Sequence, residues 1–134
     1  MDKKIKILLI EDDKIEILKF NRAISSILQK HIITQANNGK EALSLLEKGL
    51  PNIILLDLNM PDTNGIEFLT ILKSDDKLKH IPTIVLTTSD NDKDISECYR
   101  LGIAGYVLKP LKYQDYEKKI STILAYWSLN EFKK

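Results

Sequence analysis

The chain is poor in the residues that mark special architectures. Its 134 residues include a single cysteine, Cys98, so no internal disulfide can form and a reducing compartment is expected. Four prolines and five glycines are too few for a linker-rich or fibrous chain. No charge excess exists: 20 Lys and Arg stand against 19 Asp and Glu, which argues against a dedicated nucleic-acid binder. Apolar runs such as Ile53 to Leu56 are far too short to cross a bilayer, so no membrane association is expected. Met1-Asp2-Lys3-Lys4 leads into an apolar run without a small-residue cleavage site, which speaks against a secretory leader and for a cytoplasmic protein.

What is present is alternation. Ile5 to Ile10 is almost wholly apolar, as expected of a strand covered on both faces. Leu18, Ile24, Ile27 and Leu28 then recur at helical spacing between Lys14 and Lys30. A second strand fits His31 to Ala36. A helix opens at Asn38-Gly39 and is stopped by Gly49 and Pro51. Ile53 to Asp57 is the third buried run, followed by a helix from about Asn64 and a polar loop from Ser74 to His80. Thr83 to Thr87 reads as strand four, with a helix capped by Asp90 or Asn91 and ending near Gly102. Gly105 to Leu108 is strand five, and a last helix runs from about Lys112 to Trp127.

This pattern predicts an α/β fold: a five-stranded parallel sheet flanked by five helices, doubly wound and flavodoxin-like, with order 2-1-3-4-5. Residues 1–128 are expected to form the domain and 129–134 a short C-terminal tail, its end Phe132-Lys133-Lys134 frayed, with no effector domain.

In such sheets ligands bind outside the carboxyl ends of the strands. Strand one ends in Glu11-Asp12-Asp13, strand three in Asp57, strand four in Thr87-Thr88-Ser89 and strand five in Lys109-Pro110. Carboxylates, a hydroxyl and an ammonium therefore converge on one crevice. An all-oxygen cluster without Cys or His suits a hard cation such as Mg²⁺, which takes one or two carboxylates plus water and phosphate oxygens. Asp57 ends the central strand alone and is the best candidate for covalent phosphoryl acceptance, with Asp12 and Asp13 sharing the metal and Lys109 neutralising developing charge. A cis Lys109–Pro110 bond would aim the lysine into the crevice. Taken singly, each residue has a plainer role. Asp13 could cap the helix at Lys14, Thr87 could be a polar strand end, and Lys109 a solvated surface residue. His31 and His80 stand at strand starts and read as structural or surface residues, and Cys98 as a small core residue.

The motifs Leu8-Leu9-Ile10-Glu11-Asp12-Asp13, Leu55-Leu56-Asp57-Leu58-Asn59-Met60-Pro61 with Gly65, Val85-Leu86-Thr87-Thr88, and Gly105-Tyr106-Val107-Leu108-Lys109-Pro110 occur in order. With them the chain, from about Lys4 to Leu124, resembles the receiver domain of two-component response regulators, the CheY-like family. The resemblance implies phosphorelay signal transduction, in which Asp57 takes a phosphoryl group from the phosphohistidine of a histidine kinase. It implies Mg²⁺ on Asp12, Asp13, Asp57 and the backbone carbonyl of Asn59. Thr87 would hydrogen-bond the phosphoryl group, Lys109 would pair with it, and Tyr106 would be the aromatic switch residue. The stretches around Asn59, Ile81-Pro82, Ser89 and Tyr126-Trp127 look similar to single-domain regulators paired with phytochrome-type or hybrid kinases. No enzyme activity beyond its own phosphotransfer and slow autodephosphorylation is implied. Output would pass to an unidentified downstream protein, and the apolar run of the last helix could contribute a partner or homodimer surface. The rival reading is a pseudo-receiver, an interaction or dimerisation module that is never phosphorylated. An aspartate-nucleophile phosphatase would want an acid where Asn59 stands, and a dinucleotide binder would want a glycine-rich turn after strand one.

Overall fold

A computed structural model describes residues 3–60 and 64–134. Pro61 of the motif after Asp57, and Met1-Asp2 at the start, lie outside the described residues. The elements run β1 (Lys6–Ile10), α1 (Lys14–Ser25), β2 (Ile32–Ala36), α2 (Gly39–Lys48), β3 (Ile53–Leu56), α3 (Gly65–Ser74), β4 (Thr83–Thr87), α4 (Asp92–Leu101), β5 (Gly105–Leu108) and α5 (Tyr113–Ser128). The strands form one parallel sheet in the order β2-β1-β3-β4-β5, as the alternation of runs predicts.

Side chains alternate across a strand, so an unbroken apolar run supplies both faces of a sheet. Leu8 and Ile10 of β1, Ile54 and Leu56 of β3 and Val85 of β4 join one core with Phe68, Leu69 and Leu72 of α3 and Cys98 of α4. Ile7 and Leu9, Ile53 and Leu55, and Ile84 and Leu86 join the other, with Phe20 and Ala23 of α1 and Tyr116, Ile120 and Leu124 of α5. Each fully buried Leu, Ile or Phe side chain contributes about 1.5–3 kcal/mol. The Cys98 thiol is among these buried groups, and burial pushes its pKa up to about 11, leaving it an inert core residue.

Every helix start except one carries a side-chain cap. Asp13, Asn38, Asn64 and Asn91 accept hydrogen bonds from the first-turn amides of α1, α2, α3 and α4, whereas Lys112 before α5 makes none. α1 is shorter than its periodicity predicts. It stops at Ser25, because the hydroxyls of Ser25 and Ser26 bond back to the carbonyls of Arg22 and Ala23 and compete with the helical ladder. Leu28, expected on its buried stripe, is fully out in solvent. His31 is structural as expected, its Nδ1 accepting from the Ile5 amide at 3.1 Å.

Phe132, expected to fray, is packed. Trp127 stacks on Phe132 with ring centroids 6.4 Å apart. Lys3 Nζ sits 5.4 Å from the Phe132 ring and 3.0 Å from Glu131 Oε2, so the two ends of the chain are clasped together. No helix among the described residues is long and apolar enough to cross a membrane.

Candidate functional site

The site lies where β1, β3, β4 and β5 end. Asp57 follows β3 directly, and its amide donates to Ile10 O at 3.1 Å. Glu11 follows β1, its amide donating to Ala36 O at 3.0 Å and its carbonyl accepting from Gln35 Nε2 at 2.8 Å. Lys109 follows β5, and its amide donates to Thr87 O at 2.8 Å. Ladder hydrogen bonds thus run one residue past each strand and fix the three backbones. The described residues contain no cis peptide bond, so Lys109–Pro110 is trans and the lysine enters the crevice from strand register alone.

Glu11 is 3% exposed and Asp57 7% exposed, burial levels that charged groups reach only when paired. The pairing is with Lys109. Its Nζ lies 2.6 Å from Glu11 Oε1, 3.2 Å from Glu16 Oε1 and 3.8 Å from Asp57 Oδ2. Burial opposes the charge on Lys109, but the Glu11 hydrogen bond and the charges of Asp57, Glu11 and Glu16 prevail and lift its pKa above the ordinary value. Desolvation dominates at Glu11, whose carboxyl rises from 4.5 to about 7 despite the hydrogen bond and charge of Lys109.

The sign of that shift gives a pH dependence. The folded protein holds the Glu11 proton more tightly than the unfolded chain, so unfolding releases it across the window from 4.5 to about 7. In chelator, Tm is therefore expected to fall as pH rises through that window. A Glu11→Gln variant should be flatter over the same range.

Oxygen atoms of Glu11, Asp12 and Asp57 all lie within 4.8 Å of one another. This differs from the expected pairing of Asp12 with Asp13. Asp13 Oδ1 is occupied as the cap of α1, accepting from Ile15 N at 2.8 Å and Glu16 N at 3.2 Å. Glu11 stands in the cluster instead, beside Asp12 and Asp57 and with its Oε1 2.6 Å from Lys109 Nζ. The cluster is built only of carboxylate oxygens, a donor set that fits a hard divalent cation rather than a thiophilic one. The acidic cluster could hold such a metal.

Thr87 and Tyr106 lie across the sheet from that group, on the α4 side. Thr87 is buried, and its Oγ1 accepts from Asn59 Nδ2 at 3.3 Å and from the Ser89 amide at 3.4 Å. The Asn59 amide in turn donates to Asp57 Oδ1 at 3.3 Å, so Asn59 links Asp57 to Thr87. Tyr106 is half-buried, and its hydroxyl donates to Ser89 O at 2.8 Å. Ser89 Oγ donates to Asp94 Oδ2 at 2.9 Å, which ties the loop after β4 to α4. Two residues go beyond the expected set: Glu11 in the acidic cluster, and Glu16 beside Lys109.

The family model described as the response regulator receiver domain matches residues 7–121. The chain is 34% identical over 127 residues to the probable methanogenesis regulatory protein FilR2 of Methanothrix harundinacea, covering 90% of this chain and 82% of that protein. It is 33% identical over 128 residues to the response regulator Rcp1 of Synechocystis sp., covering 90% of this chain and 87% of Rcp1. The crystal structure of the phosphorylated cyanobacterial phytochrome response regulator RcpA superposes with a TM-score of 0.91 at 32% identity, over 98% of this chain and 99% of that one. The Mn²⁺-bound form of Rcp1 gives 0.89 at 30% identity, over 97% and 99%. From the order of its strands, the residues at their ends and these matches, the chain belongs to the CheY-like response regulator receiver domains of two-component systems.

Proposed function

We propose that this protein accepts a phosphoryl group on Asp57 from the phosphohistidine of a histidine kinase and changes a protein-interaction surface in response. The observation that carries the reading is the buried ammonium of Lys109 placed 3.8 Å from Asp57 Oδ2, on a residue that also belongs to a three-carboxylate cluster. One carboxylate oxygen of Asp57 forms the new bond to phosphorus. The phosphorus–nitrogen bond of the donor breaks, and its electron pair leaves on the imidazole nitrogen. Phosphoryl transfer needs positioning and charge neutralisation more than covalent help, and Lys109 is fixed in place to supply both.

Glu11, Asp12 and Asp57, with the backbone carbonyl of Asn59, would hold Mg²⁺, while Asp13 keeps its capping role. When bound, Mg²⁺ would neutralise the crowded carboxylates and the charge developing on the phosphoryl oxygens. The Mn²⁺-bound form of Rcp1 supports a divalent metal in a protein of this shape.

Thr87 would exchange its hydrogen bond from Asn59 for one to the phosphoryl group. Movement of Thr87 disturbs the Ser89 loop that holds the Tyr106 hydroxyl, so Tyr106 shifts with it. The likeness to RcpA, a phytochrome response regulator, favours a phytochrome-type kinase in the cytoplasm as the donor. Residues 1–128 act as the receiver unit, and output passes to a downstream protein. Beyond its own phosphotransfer and slow hydrolysis of the acyl phosphate, no reaction is ascribed to it.

Intact mass after incubation with acetyl phosphate tests the reading, with and without Mg²⁺, for the wild type and Asp57→Asn. A Mg²⁺-dependent gain of one phosphoryl group in the wild type, absent in the variant, is expected. No gain in the wild type from either acetyl phosphate or a phosphorylated kinase domain would establish a pseudo-receiver instead.

A further inference from the structure

Lys109 has one ammonium and three carboxylates around it, and Asp57 is the most distant. Glu11 and Glu16 both lie closer, at 2.6 and 3.2 Å against 3.8 Å. Glu11 belongs to the cluster that the proposed metal occupies, so its charge is shared once a cation binds. Glu16 stands outside that cluster, and its charge stays directed at Lys109.

The position of Glu16 is set by the fold. It sits in the first turn of α1, where Asp13 Oδ1 accepts from its amide at 3.2 Å. Its Oε1 is buried, makes no hydrogen bond among the described residues, and faces Lys109. Its Oε2 pairs with Lys19 Nζ at 3.2 Å, and that ammonium lies 4.8 Å from the ring centroid of Tyr116 on α5. The carboxylate is thus braced by a second cation and cannot follow Lys109 far.

We infer that Glu16 is a positioning residue that restrains phosphorylation: it holds the Lys109 ammonium toward α1 and competes for it with the phosphoryl group on Asp57. The inference rests on the reading of Asp57 as the acceptor. Attraction between Lys109 and the incoming phosphoryl oxygens must be gained at the expense of the Glu16 contact. The Glu16 charge also repels a dianionic donor at close range. Lys19 opposes both effects by neutralising part of that charge.

The two partners therefore predict opposite results. Glu16→Gln keeps the size of the side chain and removes its charge, so phosphorylation by acetyl phosphate in Mg²⁺ is expected to speed up about fivefold. Lys19→Met leaves Lys109 as the principal cation for Glu16, so the rate is expected to fall about twofold. Affinity for beryllofluoride, a phosphoryl analogue, should rise in Glu16→Gln by about the same factor as the rate, while Mg²⁺ affinity alone stays within about twofold of wild type. A purely structural role for Glu16 would not raise beryllofluoride affinity. Equal or slower phosphorylation of Glu16→Gln at unchanged Tm and Mg²⁺ affinity overturns the inference. Should that variant lose stability, an undiminished rate in Lys19→Met overturns it instead. A wild type that accepts no phosphoryl group at all would remove the acceptor reading itself, a result distinct from a phosphorylated wild type with unresponsive variants.

Discussion

Lys109→Met is expected to destabilise the metal-free protein by about 3 kcal/mol at pH 8, because it leaves buried carboxylates facing one another without their cation. Glu11 and Asp57 are nearly inaccessible to water, and Lys109 is the cation in contact with both. The loss should shrink at pH 5.5, where Glu11, with its pKa near 7, is protonated and no longer needs a partner. It should also shrink in millimolar Mg²⁺, if a bound cation takes over the neutralisation. Urea denaturation at the two pH values, in chelator and in Mg²⁺, measures all of this. A loss independent of both pH and Mg²⁺ would mean that the aliphatic stem of Lys109, rather than its charge, is what the fold requires. Phosphorylation of the variant by acetyl phosphate should slow by at least about tenfold, since the ammonium that faces Asp57 is gone.

The second large effect concerns a residue with no functional group. A Cβ placed on Gly65 would lie 2.8 Å from Leu58 Cα, 2.9 Å from Leu58 Cδ2 and 3.2 Å from Asp57 O. Two of these neighbours are backbone atoms and cannot rotate away. Gly65 opens α3, and its amide donates to Leu58 O, so the helix start is pressed against the segment that carries Asp57. Gly65→Ala is expected to cost about 2 kcal/mol through overpacking, lowering Tm by about 8 °C. Displacing Leu58 also displaces Asp57, and the phosphorylation rate should drop by roughly tenfold. Thermal unfolding and the mass assay read the two effects separately. Normal stability with normal phosphorylation would show that the loop yields without cost.

The two substitutions share a lesson about the site. Its chemistry depends on backbone placement as much as on charge, because Asp57, Glu11 and Lys109 all stand one residue beyond a strand. A small shift of any strand end changes the distances around a single ammonium.

The sequence by itself determined the sheet and most of the site. Five apolar runs separated by helical periodicity admit few right-handed windings, and the observed order is the one that they favour. Alternation also divides the strand ends between the two faces. Asp57 continues Ile53 and Leu55, Lys109 continues Val107, and Glu11 continues Leu9, so all three fall on the side of α1 and α5. Thr87 continues Val85 and falls on the side of α4, where Tyr106 packs. That signal was available for Glu11, and Asp13, directly before Lys14, was legible as a candidate cap of α1. The cap that the amides of Ile15 and Glu16 take from Asp13 is local. Only the tertiary structure decided that Glu11 and Asp12 meet Asp57. It also decided that Glu16, five residues past Glu11 and on a different element, meets Lys109 from the opposite end of the chain. The stop of α1 at Ser25 and the packing of Phe132 on Trp127 were equally hidden. Periodicity reports which face a residue takes within its own element, whereas clasps and shared cations arise between elements that only packing brings together.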